Sequence, residues 1–132
     1  MSGKGFDRPE KPKKGAPITV VDNITFNDVT TTYTSAVVDA LQFRKFILMV
    51  HKTVAGAPTT MEVRVQYSPD NVNWFNFTRG PFGYLAWEDT AGTEDEAIDG
   101  DVPTRYLRVY CVAVGTTAVL TFTLTVRIQL MS

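Results

Sequence analysis

The chain has 132 residues, 44% of them hydrophobic, with 13 basic and 14 acidic side chains and a net charge of −1. That length suits one domain with a core large enough to need no covalent staple, and the charge excludes a general nucleic-acid binder, which would be basic overall. The lone cysteine, Cys111, excludes an internal disulfide and a cysteine-based metal cluster; no apolar run approaches the ~20 residues of a membrane helix, and no export signal is recognisable, so a soluble protein is expected.

Residues 1–16 are rich in Pro, Gly and Lys and show no periodicity. Five basic residues (Lys4, Arg8, Lys11, Lys13, Lys14) outnumber two acidic ones, and Phe6 is the only aromatic. Such a segment cannot bury enough surface to order itself; it reads as an extended basic arm with a reach of roughly 50 Å. Residues 17–132 read as one β domain. Ile18–Phe26 alternates, with Ile18, Val20, Ile24 and Phe26 expected inward. Tyr33–Val38 is a weaker strand. Phe43–Lys52 is apolar on both faces through Phe46–Val50, which predicts a central strand covered on both sides. After a turn at Ala55–Pro58, Met61–Tyr67 alternates again. Ser68-Pro69-Asp70-Asn71 is a turn in which Pro presets φ and Asn tolerates the bend. Trp74–Thr78 and Arg105–Val112 are further strands.

Gly80–Pro103 reads as a long loop, the place where function usually sits on a rigid β scaffold. The clearest strand is the last. From Val119 onward, Leu120, Phe122, Leu124, Val126, Ile128 and Leu130 fall on one face; Thr121, Thr123, Thr125, Arg127 and Gln129 fall on the other. Short strands at this spacing, with no helical period, predict an all-β sandwich or barrel.

Candidate chemistry is sparse. His51 and Cys111 are the only residues of their kinds, and both fall inside predicted strands rather than beside an orienting group. Seven acids lie between Glu88 and Asp101 without an intervening Lys or Arg. Their spacing fits no EF-hand; they read as a solvated acidic loop that could attract a basic arm, with calcium left open. Trp74, Phe75, Phe77, Phe82, Tyr84 and Trp87 crowd fourteen positions. Either the core absorbs them, or they anchor a protein interface or stack on sugar rings.

Two patterns carry a resemblance. Val63–Trp74 (VRVQYSPDNVNW) resembles a strand followed by a Ser-x-Asp-Gly-x-x-Trp turn, with Asn71 where Gly is usual. Thr104–Val109 (TRYLRV) resembles an R-Y-V-R-[IV] strand. In this order they are similar to galactose-binding-like (discoidin-type) jelly-roll domains and to small β-sandwich proteins of tailed-bacteriophage virions, including capsid decoration (cement) proteins. The resemblance implies an all-β, two-sheet antiparallel β-sandwich of jelly-roll type, with an immunoglobulin-like sandwich as the alternative; the second likeness implies a non-enzymatic virion protein, made in the host cytoplasm, without catalytic, metal or cofactor residues. It would contact a major capsid protein or other virion proteins, often as a homo-oligomer such as a trimer. Lys4, Phe6, Arg8, Lys11, Lys13, Lys14, Phe82, Tyr84 and Trp87 are the interface candidates. A carbohydrate-binding module on a virion surface, or a connector, tail or baseplate component, are the other readings; neither nucleic acid nor membrane is expected as a partner.

Overall fold

The computed structural model describes residues 15–77, 84–88 and 91–132, with Tyr84 and Glu88 placed by backbone alone. Ten strands occur among them: β1 (Ile18–Phe26), β2 (Thr32–Thr34), β3 (Val38–Asp39), β4 (Lys45–Ala55), β5 (Thr60–Ser68), β6 (Phe75–Asn76), β7 (Tyr84–Glu88), β8 (Gly92–Asp101), β9 (Tyr106–Val114) and β10 (Thr121–Met131). One sheet runs β1-β10-β4-β8. The other runs β2-β9-β5-β6, with β3 continuing beside β9 and β7 beside β5. All pairings are antiparallel. Apart from the β2–β3 and β5–β6–β7 connections, which stay within the second sheet, each successive connection crosses between sheets, which is the jelly-roll pattern of two sheets wound around one core.

The alternation of β10 is realised from Thr121 onward: Phe122, Leu124, Val126, Ile128 and Leu130 are buried, and Thr121, Thr123, Thr125, Arg127 and Gln129 face outward, whereas Val119 and Leu120, expected in the same strand, lie in the turn before it. Their partners on β4 are in unbroken register, from Thr121 opposite Ala55 to Met131 opposite Lys45. Leu107, Val109 and Cys111 of β9 and Met61, Val63 and Val65 of β5 close the core from the other sheet.

Three expectations need correction. The first concerns β4, which is central but covered on one face only: Phe46, Leu48 and Val50 point inward, whereas Ile47 and Met49 are half-buried on the outer face. In β1, both Val20 and Val21 are buried and Ile18 is 42% exposed. The register with β10 slips on either side of Val21, and Asn23 takes a positive φ of 52°; a bulge of this kind shifts the inward parity by one residue.

Gly80–Pro103, finally, is not one loop. It holds β7 and β8, and the acidic stretch is a ten-residue strand hydrogen-bonded along β4 from Lys45–Asp101 to Val54–Gly92. Cross-strand pairing overrides the poor β propensity of Asp, Glu and Gly. Gly100 of β8 has a packing reason: a Cβ there would lie 2.9 Å from the Phe77 ring and 3.1 Å from Phe46, which meet edge to face at 5.4 Å.

Two buried hydroxyls hold irregular backbone. Ser35, between β2 and β3, accepts from the Val109 N–H at 2.8 Å and donates to the Ala36 carbonyl at 2.9 Å. Ser68 donates to Asp70 Oδ1 at 2.9 Å at the mouth of the Ser68–Asn71 turn, where Asn71 takes the positive φ (61°) that favours Gly or Asn.

Candidate interaction surfaces

His51 and Cys111 do not meet. His51 is on the outer face of β4, and its Nδ1–H donates to Asp95 Oδ1 at 2.6 Å. Cys111 points inward from the opposite sheet, where burial pushes its thiol up to about 12, so it is protonated and inert at neutral pH. Among the described residues no three His, Cys, Asp or Glu side chains converge to hold a metal ion, and no helix is long and apolar enough to cross a membrane.

Of the expected interface residues, Lys4, Phe6, Arg8, Lys11, Lys13, Lys14 and Phe82 lie outside the described residues. Tyr84 is placed by its backbone opposite Arg64. Trp87 is turned inward, only 6% exposed, because it pairs with Met61 and shares the inward parity of β5. Its ring lies 5.2 Å from the ammonium of Lys52. Lys52 is itself fully buried on the inner face of β4 and reaches Glu94 of β8 at 3.3 Å. A lysine so placed links both sheets and fastens β8 to the body.

The four most exposed large apolar side chains among the described residues follow one local rule. In Asn27–Thr30, the Asn27 Oδ1 accepts from the N–H groups of Val29 (2.8 Å) and Thr30 (2.9 Å). In Thr117–Leu120, the Thr117 Oγ1 accepts from Val119 (3.3 Å) and Leu120 (3.0 Å). Asp70 does the same for Val72 and Asn73, both at 2.9 Å, and Asp39 accepts from Leu41 at 3.1 Å. Each capped turn thrusts the aliphatic side chain two residues on into solvent: Val29 is 83% exposed, Val119 76%, Val72 74% and Leu41 63%. The side-chain oxygen satisfies the backbone, so the tip is held without a core contact.

Val29 and Val119 sit at the same end of the sandwich. Their loops are joined where Thr116 Oγ1 donates to the Asn27 carbonyl at 2.8 Å. Four donors hold Asp70 (the Asn73 and Val72 N–H groups, the Asn73 amide and the Ser68 hydroxyl), keeping its carboxyl well below the usual range. The Arg105 guanidinium and the Leu41 N–H lower that of Asp39.

The outer face of the β2-β9-β5-β6 sheet is different in kind. Arg108 lies over the Trp74 ring with its guanidinium carbon 4.1 Å from the centroid. Arg108 Nε donates to Gln66 Oε1 at 2.8 Å, and Gln66 Nε2 donates to Asn76 Oδ1 at 3.0 Å. This row of polar groups flanks one half-buried indole.

The sequence reading missed the turn-tip valines. Parity put Val119 on the outward side of the last strand, but nothing local marked it as an exposed tip. Val29 lay in a segment without a strand pattern, and the Asn-x-Val-Thr spacing was its one signal.

These features define the class as an all-β jelly-roll sandwich with exposed aliphatic side chains on its loop tips and a polar, Trp74-bearing outer sheet face. No family model and no curated protein sequence matches the chain. Among solved structures it is similar to the SPBc2 prophage-derived protein YomS, at a TM-score of 0.59 and 14% identity over 96% of this chain and 100% of that one. It is also similar to VP2 of infectious bursal disease virus, from a subviral particle, at a TM-score of 0.60 and 12% identity; this covers 99% of the present chain and 37% of VP2. A CBM4 structure matches at 0.50 and 13% identity, covering 82% of this chain and 64% of that one. At these identities the likeness is one of fold.

Proposed function

We propose that the chain is a non-enzymatic structural protein of a virion, of capsid decoration type, bound to a major capsid protein or another virion protein and repeated by symmetry, with a trimer as the expected unit. The observation that carries this reading is the pair of exposed aliphatic tips, Val29 and Val119, on two capped loops that are hydrogen-bonded to each other at one end of a jelly roll. Preorganised apolar tips lose little entropy on docking, and many weak contacts repeated by symmetry hold a shell without one tight site. The full-length fold likeness to a prophage protein and the likeness to a viral VP2 support it. A connector, tail or baseplate position uses the same surfaces.

The test is co-sedimentation of the pure protein with particles, followed by imaging of where its density lies. Particles that exclude the protein at every position would overturn the reading.

A second reading rests on the Trp74–Arg108–Gln66–Asn76 row, an aromatic ring flanked by amide groups of the kind that hydrogen-bond sugar hydroxyls, and on the fold likeness to CBM4. Saturable glycan binding lost in Trp74→Ala would favour it over the virion reading.

A further inference from the structure

The outer face of the β1-β10-β4-β8 sheet is hydrophilic along β10, yet between β4 and β8 it has an apolar floor. Ile47 and Met49 of β4, Ala97 of β8 and Met131 of β10 share this face. Two shallow hollows of about 350 and 220 Å³ run along it and meet at Ala97. The β8 side carries Asp95, Asp99 and Asp101, all projecting on the same face by the strict alternation of the strand, with Asp95 bonded to His51 and with Lys45 and Arg127 bordering the hollows from β4 and β10. Half-exposed methionine and isoleucine beneath a carboxylate rim fit a ligand that is both basic and apolar.

This chain contains such a segment. Residues 1–14 carry Lys4, Arg8, Lys11, Lys13 and Lys14 together with Met1 and Phe6. They join the body at Gly15, whose N–H donates to the Leu130 carbonyl at 2.8 Å and whose own carbonyl accepts from Gln129 Nε2 at 3.1 Å. Gln129 lies in one cross-strand row with Ile47 and Asp99, so the attachment point borders the same face. Because β1 is antiparallel to β10, the chain traced backward from Ile18 to Gly15 runs toward Met131, at the end of the sheet. Fourteen residues span up to roughly 45 Å, enough to cross to a neighbour.

We infer that the apolar, acid-rimmed face between β4 and β8 receives residues 1–14 of a second copy of this chain. Phe6 supplies the apolar contact, and the lysines face the β8 carboxylates. The inference rests on the assembly reading above and adds the surface that receives the arm.

The test uses full-length chains of two kinds, mixed. One carries a nitroxide on Ser2→Cys; the buried Cys111 does not compete for the label. The other is unlabelled apart from isotopically marked methionine methyl groups. The expected result is broadening of Met49 and Met131 in the second chain at low salt, at least twofold weaker at about 0.5 M salt. The broadening should also be lost in a second chain bearing Asp95→Lys and Asp99→Lys, and, independently of any effect on the body, when the labelled chain carries Lys11→Glu, Lys13→Glu and Lys14→Glu. Unperturbed Met49 and Met131 signals in the mixture overturn the inference, and so does broadening seen only when label and methyl groups share one chain. Virions that contain the protein while the pure chain shows no such contact would remove this interaction and leave the virion reading standing.

Discussion

Replacing Phe122 by Ala deletes a ring that is 1% exposed and packed between the sheets, and should lower stability by about 3–5 kcal/mol. Its neighbour Thr123 faces outward and shares only an exposed hydroxyl contact with Thr25 at 3.0 Å, so Thr123→Ala should cost well under about 1 kcal/mol. Urea unfolding of the two variants measures both. Ser35→Ala leaves the buried Val109 N–H without the hydroxyl it donates to, which should cost about 1–3 kcal/mol in the same assay.

Asp70 supplies a pH dependence with a definite sign. Its carboxylate accepts four hydrogen bonds in the native turn, so its folded pKa lies below the unfolded value. The turn therefore contributes its stability in full above about pH 4, and loses it as the pH falls from there through the folded pKa. Asp39, paired with Arg105, acts in the same direction. Asp70→Asn should flatten the acid limb of a plot of denaturation midpoint against pH; an unchanged slope would remove Asp70 from the account.

At the scale of the element, legibility tracked how completely local pattern and tertiary pairing agreed. The strands β5, β9 and β10 were readable because each has one buried and one wet face, and a period of two is what burial on one side demands. In β4 an uninterrupted Phe46–Val50 run hid the fact that Ile47 and Met49 face outward; an apolar run does not say whether its second face is covered by the same molecule. The parity of β1 failed at Val21, between two register slips, because a bulge leaves no mark in hydrophobic periodicity. The least legible strand was β8, whose Asp, Glu and Gly read as loop. It is a strand because β4 pairs with it residue by residue, and because Lys52 draws in Glu94. The candidate surfaces were legible in part for a related reason: aromatic density flagged Trp74, whereas Trp87 is consumed by the core.

The tie between Lys52 and β8 has a measurable consequence. Truncating Lys52 to Ala removes a fully buried side chain that lies beside Trp87 and reaches Glu94, and the cavity left behind should cost about 2–5 kcal/mol. The loss should appear first as faster amide exchange along Thr93–Asp99, ahead of β10, because β8 has a described strand neighbour on one side only. Uniform acceleration across both sheets would show that Lys52 stabilises the whole sandwich rather than its edge.

For the whole molecule, the jelly roll separates a stable body from surfaces free to vary. Its core is complete without Val29, Leu41, Val72 or Val119, all of which stand on turns that satisfy their own backbone. An isolated exposed valine needs no explanation; two on adjoining loops, each stiffened by a side-chain cap, form a patch that water leaves easily. Val29→Asp with Val119→Asp should therefore leave the melting temperature within about 2 °C, since neither side chain touches the core, while lowering occupancy on particles by tenfold or more. The tenfold figure corresponds to about 1.4 kcal/mol per attached unit, less than the burial of two valines is worth. The matching pair at the opposite end, Leu41→Asp with Val72→Asp, is the control that assigns polarity: if the shell binds the Val29 end, this variant keeps its occupancy. Equal loss in both variants would mean that the molecule bridges two partners, one at each end, which requires density above and below it in the imaged particle.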